Sequence, residues 1–256
     1  MSKQYASDLA TPLQEKLLAL GVLLDHHYFE GRATQIQFSD EVDMASAWVD
    51  EAGQAHLSIN PKHVAFMSTE QLVFLVGHEY GHLVMQHPQK TTAIQAEYGV
   101  ASVLDEFMLP PDKKRDYSKQ MRDMELEADL FGARVAKGLG HDPVAGASFL
   151  LAQTKSIQHP EGPLRVHKIK ILEGQLQGDD YSTSLADVTH KLGTTPWATL
   201  AQHTGEPIQL KAFVQVPQGH KQTTLSGQAG FEVPLALTVL ALAGALPRWW
   251  RRLRWA

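Results

Sequence analysis

The stretch that most restricts the fold is His78-Glu79-Tyr80-Gly81-His82, late in an amphipathic run from Ser68 to Gln86. Ser68 and Gln71 have the spacing of a capping box, which predicts where a helix starts. On a helix, residues four apart share a face and lie one turn from each other. His78 and His82 can therefore hold one metal ion together, with Glu79 projecting beside them. Two imidazoles and a carboxylate that can take a proton from a water activated by the metal are the working parts of a zinc hydrolase. The competing reading is a half-buried helix with incidental histidines, in a chain that has 13 of them.

A later helical pattern supplies what the first lacks. Met121, Met124, Ala128, Phe131 and Val135 form an apolar stripe, bordered by Glu125 and Asp129 one turn apart. A charged residue is seldom buried without a partner. Carboxylates beside such a stripe are therefore either rim residues or ligands. Catalytic zinc takes three protein ligands and keeps a fourth position open. Glu125 is the candidate third ligand. Asp129 is placed to accept the free ring N–H of a ligand histidine. Glu127 lies on another face and is expected to be exposed and dispensable.

Around these two helices the chain reads as mostly helical with a small sheet. Thr11 to Tyr28 carries leucines at helical spacing, and His26 and His27 at its end read as surface residues. Thr34 to Phe38 predicts a strand. Ser46 to Val49 and Ala55 to Ile59 predict a hairpin about residues 50–54, closed by Asn60-Pro61. An open strand edge beside the zinc helix can bind an extended peptide through main-chain hydrogen bonds; a purely structural hairpin is the equal alternative. Past His82 the helix is expected to run to His87 and stop at Pro88. The positions where a metzincin needs glycine and a third histidine hold Met85 and Pro88, so His87 reads as exposed. Thr91 to Met108 predicts one further helix, and Leu109 to Arg115 an exposed, mobile loop.

HEYGH followed by MELEADLFG resembles the M48 family of zinc metallopeptidases, which couples H-E-x-x-H to a downstream E-x-x-A-D. The resemblance continues through GLGHDPVAGASFLL, where Asp142 and Pro143 suit an N-cap and first helical residue. It goes on to His159-Pro160-Glu161-Gly162-Pro163-Leu164-Arg165, similar to the family's H-P-x-x-x-x-R segment. It covers about residues 10 to 175. It implies that His78, His82 and Glu125 bind zinc, that Glu79 is general base and then proton donor, and that His159 and Arg165 lie near the metal. His159 would stabilise the oxyanion or cap the zinc. On residue chemistry alone His159 also suits a surface position, and Arg165 a structural pairing with a helix C-terminus.

After about residue 175 the resemblance stops. Gln175 to Ser182 is polar and reads as a linker. Leu185 to Leu192 and Pro196 to His203 predict two short helices, and Ile208 to Val216 a strand. SLADVTHKLGTTPWATLAQ faintly resembles a LysM carbohydrate-binding module; a small embellishment packed on the protease is the alternative. Gln218 to Gly230 is Gly- and Thr-rich and reads as flexible. Three parts are thus expected: a protease domain at 1–175, an extension at 176–230 and an apolar, Arg/Trp-rich segment at 231–256. Val233 to Leu246 is 14 residues without a charge, followed by four arginines and no acid. At 1.5 Å per residue this is roughly 21 Å, short of a bilayer's roughly 30 Å core. A short anchor, an interfacial segment and a buried C-terminal helix compete. Association with the cytoplasmic face of a membrane is the reading adopted, with a soluble cytoplasmic protein as the alternative.

Net charge is −5 with a pI of about 6.2, which argues against nucleic acid as the main partner. The absence of cysteine removes disulfides and thiolate metal sites. The N-terminal residues lack an apolar core after a basic start, so no secretory signal is expected. The sequence therefore predicts an α+β fold, predominantly helical and zincin-like, that hydrolyses protein or peptide substrates with zinc. The alternatives are a catalytically silent binding or chaperone-like module, and a regulator-clipping H-E-x-x-H protease of another family. Oligomeric state is not encoded in any of these signals.

Overall fold

Leucines at helical spacing bury one side of the first helix, α1 (Ser7–Tyr28): Leu17, Leu20 and Leu24 are at most 2% exposed. The computed structural model describes residues 7–30 and 32–192. The elements expected at 196–203 and 208–216, the flexible stretch at 218–230 and the apolar tail lie outside them. Three strands follow α1: β1 (Gln35–Phe38), β2 (Ala45–Val49) and β3 (Ala55–Ile59). Their order is β1-β3-β2, with β1 parallel to β3 and β2 antiparallel to it, so the predicted hairpin forms. Its turn is made by Asp50, whose Oδ1 accepts from the N–H groups of Ala52 and Gln54, and by Gly53 at φ +81°.

Asn60 caps the one-turn helix α2 (Pro61–Val64), and Ser68 then opens α3 (Thr69–Val84). Both bonds of the predicted capping box are present, Gln71 N to Ser68 Oγ at 3.3 Å and Ser68 N to Gln71 Oε1 at 2.9 Å. Here the chain departs from expectation. The α3 helix ends at Val84, and Gln86 adopts a left-handed conformation at φ +58° that reverses the chain. Pro88 does not stop a helix but sits in the first turn of the next one, α4 (His87–Tyr98), where its missing N–H costs nothing. The helix expected over 91–108 is broken at Gly99, left-handed at φ +68°, into α4 and α5 (Val103–Met108). The loop expected at 109–115 is mostly the exposed first turn of α6 (Pro111–Gly138), the longest helix among the described residues, again begun by proline.

The α3 and α6 helices cross in backbone contact. A Cβ on Gly132 would stand 2.8 Å from Phe74 O and 3.0 Å from His78 N, and one on Gly81 3.2 Å from Ala128 Cα. Absence of side chains along this line brings the two motif-bearing helices together. Around the crossing, α1, the inner sheet face (Ile36, Leu57, Ile59), Val73 and Val76 of α3, and Phe131 and Val135 of α6 form the main core.

Asp142 caps α7 (Pro143–Gly146) through bonds from Val144 N and Ala145 N, as its sequence suggests. A 3-10 turn (Ala147–Ala152), α8 (Gly162–Leu172) and α9 (Ser182–Leu192) complete the described chain. The segment read as a linker at 175–182 is docked. Tyr181 is 1% exposed, Asp179 takes a hydrogen bond from Tyr28 and an ion pair from Arg134, and Gly178 lies against the backbone of Gly138. His26 and His27 are half-buried rather than surface residues because α9 packs on them: His27 Nδ1 is 3.0 Å from Ser184 Oγ and His26 Nε2 3.4 Å from Asp187. Among the described residues no helix is long and apolar enough to cross a membrane.

Candidate metal centre

The glycine-lined crossing sets two side chains of α3 against one of α6. His78 Nε2 and His82 Nε2 are 3.1 Å apart, and Glu125 places Oε2 3.6 Å from the first and Oε1 3.5 Å from the second. One donor atom from each lies within 4.8 Å of the other two, so the three could hold a metal ion. The spacing fits tetrahedral coordination. With bonds of about 2.05 Å, neighbouring ligand atoms of such an ion stand about 3.3 Å apart. The chemistry fits as well: two ring nitrogens facing each other this closely cannot both carry a proton, and a shared cation resolves the conflict.

Electrostatics keeps the donors in metal-binding form. Burial drives the His82 pKa down to about 3, leaving the ring neutral. Burial works to raise Glu125, but His159, His82, Arg165 and His78 around it hold its carboxyl well below the usual carboxylate range. Behind the triad, Asp129 is 1% exposed, with Oδ1 3.1 Å from His78 Nδ1. At this distance the ring nitrogen and the carboxylate face each other without the geometry of a hydrogen bond. Asp129 in turn receives Nε and Nη2 of Arg165 at 2.7 and 2.6 Å. Arg165 also reaches Glu125 at 3.3 Å and hydrogen-bonds Gln153. Two branches of its guanidinium thus hold the acidic residues and the third is anchored to Gln153. The resemblance put Arg165 near the metal; here it contacts Glu125, a candidate ligand, and Asp129, which stands behind His78.

His159 comes to the same place from the loop after the 3-10 turn. Its Nε2 is 3.5 Å from Glu125 Oε2, and its backbone N–H donates to Ser156 Oγ at 2.8 Å. Arg122 Nε fixes the loop through Ser156 O at 2.9 Å. Glu79 is 7% exposed, with the Ala47 N–H directed at its carboxylate. Burial pushes its pKa up to about 7. A carboxyl poised there can both take and give a proton near neutrality. The cleft over the centre is lined by Ala45, Ser46 and Ala47 of β2 and by Glu79, Glu125 and His159.

Among the described residues, β2 beside the centre is an edge strand of the sheet. Asn60 N bonds Met44 O and Asp50 N bonds Gln54 O, so the intervening Ser46 and Trp48 face β3 through their main-chain groups. Those of Ala45, Ala47 and Val49 face away from β3, with Ala45 and Ala47 at the cleft and the Ala47 N–H directed at Glu79.

No family model, curated protein or solved structure matches the chain. Of the seven residues singled out by sequence, His78, Glu79, His82, Glu125 and His159 nevertheless line one cleft, and Asp129 and Arg165 stand buried beside them. Sequence reasoning missed His87. It is 1% exposed, not exposed as expected, and lies 3.1 Å from His82 and from Glu127. The left-handed Gln86 that folds it inward has no glycine to announce it.

Proposed function

We propose that the protein is a zinc-dependent metalloendopeptidase of the M48 kind. The observation that carries this reading is the 3.1–3.6 Å spacing of His78, His82 and Glu125 with the buried carboxyl of Glu79 beside them. A zinc ion, when bound by those three residues, supplies Lewis acidity toward the attacking water and the scissile carbonyl. The chain's own groups do the rest. An extended peptide pairs with the outward main-chain groups of β2 other than the Ala47 N–H, which is directed at Glu79, and this sets its carbonyl over the centre. Glu79 takes a proton from water as the water oxygen bonds the carbonyl carbon, and passes that proton to the amine as the C–N bond breaks. His159 donates to the oxygen that gains charge in between. Asp129 and Arg165 hold His78 and Glu125 in position.

Digestion of a fluorescently labelled casein tests the reading. The zinc-loaded protein is expected to release peptides, and a chelator to stop it until zinc is restored. A protein that holds stoichiometric zinc yet leaves casein and unfolded or short peptide substrates intact would favour a silent binding module.

A further inference from the structure

Behind His82, on the side away from Glu125, lies a second line of polar contacts that the proposed reaction does not use. His87 Nδ1 is 3.1 Å from His82 Nδ1, and His87 Nε2 is 3.1 Å from Glu127 Oε2. His87 is buried, whereas Glu127 is about half exposed. The reversal at Gln86 presses His87 back against the helix it follows, and a left-handed non-glycine residue costs roughly 1–2 kcal/mol. The two imidazoles meet edge to face with centroids 5.0 Å apart.

Proton positions along this line are determined once one end is fixed. A ring nitrogen that binds metal offers its lone pair, so the other nitrogen carries the proton. If His82 Nε2 faces the metal, His82 Nδ1 is a donor. Its neighbour, His87 Nδ1, must then accept, which leaves the His87 proton on Nε2. That N–H points at a carboxylate oxygen, which only accepts. Each contact has one donor and one acceptor, and reversing any ring sets two donors or two acceptors against each other.

We propose that His87, oriented by Glu127, is a positioning residue that fixes the tautomer and ring angle of His82 for metal binding. The proposal rests on the metal reading above. His82 thus gains a neutral imidazole acceptor, where His78 has the carboxylate of Asp129. Because Glu127 is half exposed, water can stand in for it, and its share of the effect is the smaller.

Zinc affinity of the full chain, measured by competition with a chromophoric chelator, tests this without reference to catalysis. His87→Phe keeps the ring's bulk but removes the acceptor, and is expected to weaken zinc binding roughly ten- to a hundredfold. His87→Gln, whose side-chain carbonyl can accept from His82 Nδ1, is expected to restore most of the loss. Glu127→Ala is expected to change affinity only a few-fold. Should His87→Phe fail to fold, long-range nitrogen–proton NMR of the zinc-loaded wild type decides alone: the proton of His82 is expected on Nδ1 and that of His87 on Nε2. Unchanged affinity in His87→Phe, or a His87 ring protonated on Nδ1, overturns the relay and leaves the metal site standing. A wild type that binds no zinc removes the metal reading itself, and the relay with it.

Discussion

Arg165 grips Asp129 through two parallel hydrogen bonds, Nε to Oδ2 at 2.7 Å and Nη2 to Oδ1 at 2.6 Å, between side chains that are each 2% exposed. Breaking a buried pair from one side leaves a charge with neither partner nor water. Such changes typically cost 3–5 kcal/mol. Arg165→Met is expected to lower unfolding free energy by about that amount in urea titrations. Arg165→Lys should recover little, because a single ammonium cannot reproduce the planar fork. Near-wild-type stability in both variants would mean that the pair is not a load on the fold.

Glu79 and Glu125 are separable by what they do to the metal. Glu79→Gln is expected to abolish casein digestion while zinc stays stoichiometric, since Glu79 acts on the proton and is not a ligand. Glu125→Ala is expected to lose zinc outright, because two imidazoles leave an incomplete site. Asp129→Asn keeps the ligands but weakens the hold on His78, and should reduce zinc affinity roughly ten- to a hundredfold. Metal content by atomic absorption beside a digestion assay distinguishes the roles; zinc loss in Glu79→Gln, or full zinc in Glu125→Ala, reverses them.

Gly132→Ala sets two effects against each other. Helix propensity alone favours alanine by about 1 kcal/mol. The added Cβ, however, would stand 2.8 Å from Phe74 O and 3.0 Å from His78 N, both backbone atoms that cannot swing aside. Overpacking of this kind costs roughly 1–3 kcal/mol, so a net destabilisation is expected. Separating α6 from α3 also moves Glu125 away from the histidines, so zinc affinity should fall with stability. A variant that gains stability would show that the crossing tolerates the methyl.

Much of this site was readable because it is local. The capping box at Ser68 and Gln71, the His78–His82 face and the Glu125–Asp129 turn all follow from helical periodicity, and all form. What escaped notice depends on tertiary contact. Pro88 reads as a helix stop and Pro111 as part of a loop, yet each occupies a first turn, and only the preceding backbone distinguishes these uses. The polar stretch at 175–182 lacks an apolar pattern, and it docks through single contacts of Tyr181 and Asp179 to α1 and α6. His87 is buried by a chain reversal at Gln86, a residue type that does not mark a left-handed turn in the sequence. Glu127 is exposed as expected, but it is not without a partner.

The last prediction concerns Asp25, away from the metal. It is 5% exposed and accepts from Thr34 N at 2.8 Å, Thr34 Oγ1 at 2.6 Å and Tyr80 Oη at 2.9 Å. These bonds favour the charged form, but burial outweighs them and pushes the carboxyl up to about 6 from its ordinary 3.8. Below about pH 4 the group is protonated whether the chain is folded or not, and it contributes no difference. Between pH 4 and pH 6 the unfolded chain releases the proton while the folded one keeps it, so stability falls as pH rises. Above about pH 6 the penalty is constant. At about 1.4 kcal/mol per pH unit, it reaches up to about 3 kcal/mol. Stability of wild type minus that of Asp25→Asn, measured on zinc-free protein, is therefore expected to decline by about this amount from pH 4 to pH 7. Taking the difference cancels the other titrating groups common to both proteins. Parallel stability curves would show that Asp25 keeps an ordinary carboxylate, held ionised by Thr34 and Tyr80 against the cost of its burial.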